Sequence, residues 1–157
     1  DGFLATVQLA QDKELARAKT YLAKAYHKGK FVLQDPFKAE ELYLEAMASD
    51  PDATYELANL YTKGLKGEPE YEKAYSLYTS LVDTGYGKAD YQIAEIFNLA
   101  LGIKPNRPLA YAHYTLAREQ GIEKADIKLK EITADLSTQQ LEVYTDAYNK
   151  LKQQRNL

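Results

Sequence analysis

The chain has 157 residues, of which 27% are charged and 45% hydrophobic, a balance that excludes wholesale disorder. Its net charge of −3, from 20 basic and 23 acidic side chains, lays down no electrostatic footprint for nucleic acid. The absence of cysteine removes disulfides and thiolate metal sites, and no apolar run approaches the ~18–20 residues that a membrane span requires.

In chain order, Asp1-Gly2-Phe3-Leu4 lacks an initiator Met and a charged-then-apolar leader. Phe3, Leu4, Val7, Leu9 and Ala10 form a stripe at roughly helical spacing, as the second helix of a preceding unit would. The chain is therefore expected to be the C-terminal piece of a longer repeat protein.

From residue 16 a regular beat sets in. Ala18, Ala53, Ala89 and Ala125 stand 35, 36 and 36 residues apart. Leu22, Leu57, Ile93 and Leu129 follow four residues later, and Tyr26, Tyr61 and Phe97 eight residues later. Self-similarity at such a period is the mark of a repeat array. The alanine, the residue four on and the aromatic share one helical face, so each unit opens with an amphipathic helix. Lys28-Gly29 and Lys63-Gly64 supply its C-terminal cation and left-handed stop. Ala100 occupies that place in the third unit and Gly102 follows, which predicts a displaced stop there.

A second helix follows in each unit. Asp35-Pro36, Pro69-Glu70 and Asn106-Arg107-Pro108 start it, by an N-cap acceptor, a proline at the first turn, or both. Ala39, Ala74 and Ala110 come next, with Tyr43, Tyr78 and Tyr114 four residues further. The return loops hold Asp50-Pro51, Gly85 and Gly121. Constant spacing within a unit and a variable connector between units describe a rigid helix pair joined by tolerant turns. Tyr26, Tyr61, Tyr43, Tyr78 and Tyr114 are accordingly expected in the core. The final unit changes character: Ala125–Ile132 is a first helix, Ser137-Thr138-Gln139-Gln140 is a capping box, and a helix from Leu141 to about Gln154 closes the array. Leu141, Tyr144, Tyr148 and Leu151 form its apolar face.

The expected fold class is all-α: a right-handed α-solenoid of antiparallel helix pairs over residues 1–157 as a single repeat domain. Its repeats run about 16–52, 53–88 and 89–124, with capping helices over 125–157.

The unit Ala53-x3-Leu57-Ala58-x2-Tyr61-x2-Gly64, followed by Lys73-Ala74, Tyr78 and Gly85, resembles a Sel1-like repeat, a relative of the tetratricopeptide repeat. The resemblance covers about residues 16–141. This chain departs from it in having no Trp and in placing Ala100 where a glycine is usual. Three further stretches also resemble the C-terminal repeats of the periplasmic scaffold lipoproteins of bacterial alginate export. They are Tyr61-Thr62-Lys63-Gly64-Leu65-Lys66-Gly67, Ala89-Asp90-Tyr91-Gln92-Ile93-Ala94, and Gly102-Ile103-Lys104-Pro105-Asn106 with Ala110-Tyr111. That likeness implies an adaptor associated with the outer membrane, holding a porin and polysaccharide-modifying enzymes together.

No catalytic constellation is visible. His27 and His113 have no Cys, second His or carboxylate at metal-ligand spacing, and are read as surface or partly packed imidazoles. Gly64-Leu65-Lys66-Gly67 follows no strand and is a helix stop, not a phosphate loop. Glu40-Glu41 and Glu68/Glu70 read as solvated faces. No enzyme activity, cofactor or metal is expected. The family analogy places partner binding on the concave face, at Lys24, Tyr55, Asn59, Tyr91, Glu95 and Asn98. Tyr71, Tyr75, Tyr86 and Tyr111 lie off the core register and are expected as exposed aromatic contacts. They carry the alternative of a carbohydrate-binding module that stacks sugars on tyrosine.

Overall fold

The structure, a computed structural model, describes residues 13–157, and every regular element among them is a helix. Helix α1 spans Lys13–Lys28, α2 Pro36–Ala46, α3 Pro51–Lys63 and α4 Tyr71–Val82. Helix α5 spans Gly87–Asn98, α6 Arg107–Glu119, α7 Lys124–Thr133 and α8 Thr138–Gln154. The stripe expected over residues 3–12 lies outside the described residues. The chain divides into two compact units inside α4, one ending at Leu77 and the next beginning at Tyr78.

Helix ends follow the sequence signals closely. Asp35 and Asn106 accept from the backbone N–H groups of Lys38 and Leu109, each at 3.0 Å, and proline fills the first turn of both helices. Asp50 caps α3 by accepting from the Asp52 N–H at 3.1 Å. Ser137 and Gln140 exchange both bonds of the capping box, at 2.9 and 3.2 Å. One further backbone bond recurs unit by unit. Asp35 N–H donates to Tyr26 C=O at 3.0 Å, Glu70 to Tyr61 at 2.8 Å and Asn106 to Phe97 at 3.2 Å. Each closes the turn between a first and a second helix at the same two repeat positions.

The displaced stop expected in the third unit does not occur. Ala100 takes φ 54° where Gly29 takes φ 65° and Gly64 φ 77°, and Leu101 N–H reaches Ile96 C=O at 3.0 Å as Lys30 N–H reaches Ala25 C=O at 3.0 Å. These are the long bonds of a Schellman-type terminus, and closing one there repays the left-handed strain on an alanine.

In the first unit α2 packs against α1 and α3. Ala23, Ala39, Ala46, Ala53 and Ala58 are wholly buried, so the helix backbones approach closely, and Tyr43 fills the space between them. The Tyr43 hydroxyl lies 3.2 Å from His27 Nδ1, and Thr20 donates to Asp50 at 2.6 Å. Tyr26 is half-buried, contrary to expectation, with the Lys38 ammonium 5.2 Å from its ring centroid. Position in the register did not suffice there because one face of the ring is covered only by a long surface side chain.

In the second unit α6 is the central helix, contacted by α5, α7 and α8. Ala89, Ala94, Ala110, Ala112, Ala117 and Ala125 are wholly buried around Tyr114. On α8, Tyr144 is buried and Tyr148 and Leu151 are half-buried, but Leu141 is exposed. It sits in the first turn, on the rim of the apolar face.

The turn after α3 offers a direct test. Gly64 combines φ 77° with ψ 149°, and a Cβ there would stand 1.8 Å from the Glu68 carbonyl oxygen, whereas at Gly67, φ 84°, a Cβ meets nothing within 4 Å. Gly67→Ala should cost about 1 kcal/mol, the left-handed strain alone. Gly64→Ala should cost at least twice as much, read from the urea midpoint; equal costs would contradict the described turn.

Candidate partner-binding surface

The six inner-face residues expected from the repeat register are not equally available. Tyr91 is buried: its ring packs edge-on to Tyr114 at 5.5 Å between centroids, and the Lys124 ammonium covers it at 4.2 Å. It is a packing residue and drops out of the expected contact set. Lys24, Tyr55, Asn59, Glu95 and Asn98 are half-buried, with part of each side chain facing solvent.

Tyr91, Glu95 and Asn98 are brought together around one group, the Tyr114 hydroxyl. That hydroxyl donates to Glu95, Asn98 also bonds it, and Tyr91 bonds Glu95. Burial, reinforced by the adjacent carboxylate, drives the Tyr114 phenol well above its ordinary value, so it stays protonated and donating. Half of the expected surface is thus tied to the core of its own helix pair.

Lys24 and Glu95 share a second role. Lys24 pairs with Glu56 at 3.6 Å, and Glu95 pairs with Lys128 at 3.6 Å. Both pairs join the sixth residue after one unit's alanine to the third residue after the next unit's alanine. The same rung is built twice with opposite polarity. Reversing Lys24 or Glu95 therefore disturbs stacking as well as any partner.

The four tyrosines expected as exposed contacts are not exposed: Tyr71, Tyr75, Tyr86 and Tyr111 are all half-buried. Tyr111 packs against Tyr144 at 5.8 Å between centroids. Tyr111 thus finds cover on the closing helix although it is off the core register.

A buried ion cluster carries no repeat signal and escaped the reading of the sequence. Asp90 is fully buried. Arg155 grips it with two N–H···O bonds of 3.0 and 2.8 Å, Gln120 donates to it at 2.9 Å, and His113 Nδ1 lies 2.9 Å from Oδ1. Burial alone would push the Asp90 carboxyl up, but the bonds from His113 and Arg155 outweigh it and hold the pKa below the usual carboxylate range. Burial lowers His113 despite its carboxylate neighbour, leaving a neutral imidazole whose Nδ1–H donates to Asp90. His113 is therefore a buried structural partner and not a surface imidazole. Among the described residues no group of three metal-ligating side chains converges. Asp90 might have been flagged only as a carboxylate beside a core alanine; Arg155, 65 residues away, gave no signal at all.

Two outcomes follow from this geometry. Arg155→Met should cost about 3 kcal/mol in urea unfolding, because it strips the cation from a carboxylate that stays buried. The pH dependence has a definite sign. His27 and His113 both titrate below the ordinary histidine value, chiefly through burial, so below about pH 6.5 the unfolded chain takes up protons that the native chain refuses. Stability should fall from pH 7 to pH 5, and His113→Asn should flatten that slope; an unchanged slope would refute the buried neutral state. The Asp90 contribution persists through this window and disappears only as pH drops through its depressed pKa.

Comparison with known proteins agrees with this construction. The model of the Sel1 repeat matches residues 16–49, 51–83 and 87–122. Among curated proteins, the chain is 37% identical over 73 residues to the alginate biosynthesis protein AlgK of Azotobacter vinelandii, covering 46% of this chain and 16% of that protein. It is 34% identical over 74 residues to AlgK of Pseudomonas syringae pv. tomato, covering 47% and 16%. The chain thus matches only a small part of these relatives' length. Among solved structures, c5321, a protective antigen of uropathogenic Escherichia coli with an SLR fold, superposes with a TM-score of 0.72 at 25% identity, covering 86% of this chain and 30% of that one. A Sel1 repeat protein from Oxalobacter formigenes gives a TM-score of 0.69 at 20% identity, covering 85% and 54%. The fold class is the all-α repeat solenoid, and the chain belongs to the Sel1 repeat family.

Proposed function

We propose that the chain is a non-catalytic scaffold that holds other proteins together in an alginate-type exopolysaccharide modification and export complex. The working location is the periplasm, at the outer membrane, with a porin and polysaccharide-modifying enzymes as partners. The observation that carries the reading is the match to AlgK at 34–37% identity over 73–74 residues. Repeat arrays use their inner helices as extended recognition surfaces, and Lys24, Tyr55, Asn59, Glu95 and Asn98 keep part of their side chains in solvent there. None of the described helices is long and apolar enough to cross a membrane. The carbohydrate-binding alternative is weakened: its four tyrosines are half-buried and leave no open aromatic track along which a polymer could stack.

The test truncates Tyr55 and Asn59 and avoids charge reversal, which at Lys24 or Glu95 would set like charges together in a stacking pair. Tyr55→Ala with Asn59→Ala should weaken capture of the purified porin or modifying enzyme at least several-fold while the far-UV spectrum is retained. Unaltered capture by that variant would remove these residues from the partner surface. Failure of the wild-type chain to capture either protein would overturn the scaffold.

A further inference from the structure

The molecule is acidic, yet one groove on it is lined by cations and open aromatic rings. Tyr21, Lys24, Ala25 and Lys28 line it from one face of α1, and Lys30 and Phe31 close it from the following turn. Its volume is about 170 Å³. Three of the six lining residues are lysines and none is a carboxylate. Lys24 shares its charge with Glu56, which leaves Lys28 and Lys30 as the principal cations.

The aromatic rings are unusual in two ways. Tyr21 is 70% exposed and Phe31 82% exposed, whereas Tyr43, Tyr78, Tyr91, Phe97, Tyr114 and Tyr144 are buried. Phe31 also takes φ 71°, a left-handed conformation that bulky residues rarely adopt. Core packing does not offset that strain, because the ring is in solvent, with the Lys30 ammonium 5.2 Å from its centroid. Backbone strain that buys no packing is characteristic of a residue held ready for a ligand.

We propose that this groove binds an acidic peptide segment of a protein partner, with carboxylates meeting Lys28 and Lys30 and one apolar or aromatic side chain resting between Tyr21 and Phe31. The proposal rests on the scaffold reading and gives it a ligand chemistry. A peptide is favoured over an acidic polysaccharide because the open rings form one compact cluster. A polymer would call for a row of subsites, and the tyrosines that could have made one are half-buried. The groove includes Lys24, one of the residues proposed above for the partner surface.

The experiment is a fluorescence-anisotropy titration of the intact chain with a labelled peptide that carries a run of glutamates around one phenylalanine. A glutamine-substituted peptide and a polyuronate oligomer serve as comparisons. The glutamate peptide should bind at least tenfold more tightly than the glutamine peptide, and the difference should shrink as salt is raised. Lys28→Glu with Lys30→Glu should abolish that preference. Phe31→Gly keeps the backbone conformation available while removing the ring, so it should weaken binding several-fold without lowering the melting temperature. Equal binding of both peptides, indifference to either variant, or tighter binding of the polyuronate would each overturn the proposal. If the chain captures the porin or the modifying enzyme but shows no peptide preference, the groove is refuted and the scaffold survives. If the peptide preference holds and capture fails, the groove survives without that scaffold.

Discussion

A buried phenol that must stay hydrogen-bonded governs the first and the third helix pairs. Tyr43, Tyr78 and Tyr114 are the largest wholly buried side chains, each at the same place on a second helix. Taking such a hydroxyl out of water without a partner costs a few kcal/mol, so the first helix must present one. His27 faces Tyr43, and Glu95 with Asn98 faces Tyr114. Buried side-chain polar atoms are all satisfied among the described residues. The pairing fixes the rotation of one helix against the other, and the small alanines then set their separation.

That constraint reaches outward into the proposed partner surface. Glu95 and Asn98 are the residues a repeat register nominates for partners, and the same residues hold Tyr114 in place. A surface built this way is preorganised, since its polar groups are already oriented by the core beneath them. It is also less free to change than an ordinary exposed face. Substitution there perturbs the helix pair as well as the partner.

The architecture was legible because it is written in local, periodic chemistry. Alanine spacing, the Asp-Pro and Asn-x-Pro starts and the Ser137–Gln140 box each act within a few residues, and each was found in place. Pattern failed where cover depends on a neighbour. Tyr26 and Leu141 hold core positions in the register yet remain partly or fully open, while Tyr91 was placed on the surface and is buried. The stop at Ala100 was misread because a left-handed alanine looks improbable until the backbone bond that accompanies it is seen. The Asp90–His113–Gln120–Arg155 cluster was invisible for a different reason: it is non-repeating and joins α5, α6 and the end of α8 across long sequence separations. It holds the closing helix by a geometry-specific bond where generic apolar contact would permit sliding.

The rung between consecutive units has one more implication. Lys24 meets Glu56, but Glu95 meets Lys128. Transplanting the unit that begins at Ala89 in front of the unit that begins at Ala53 would set Glu95 against Glu56, and placing the first unit before the last would set Lys24 against Lys128. Units that share a backbone are therefore not interchangeable modules. Each carries a charge label that admits its proper successor and repels a wrong one, so the sequence encodes the order of assembly as well as the shape of the parts.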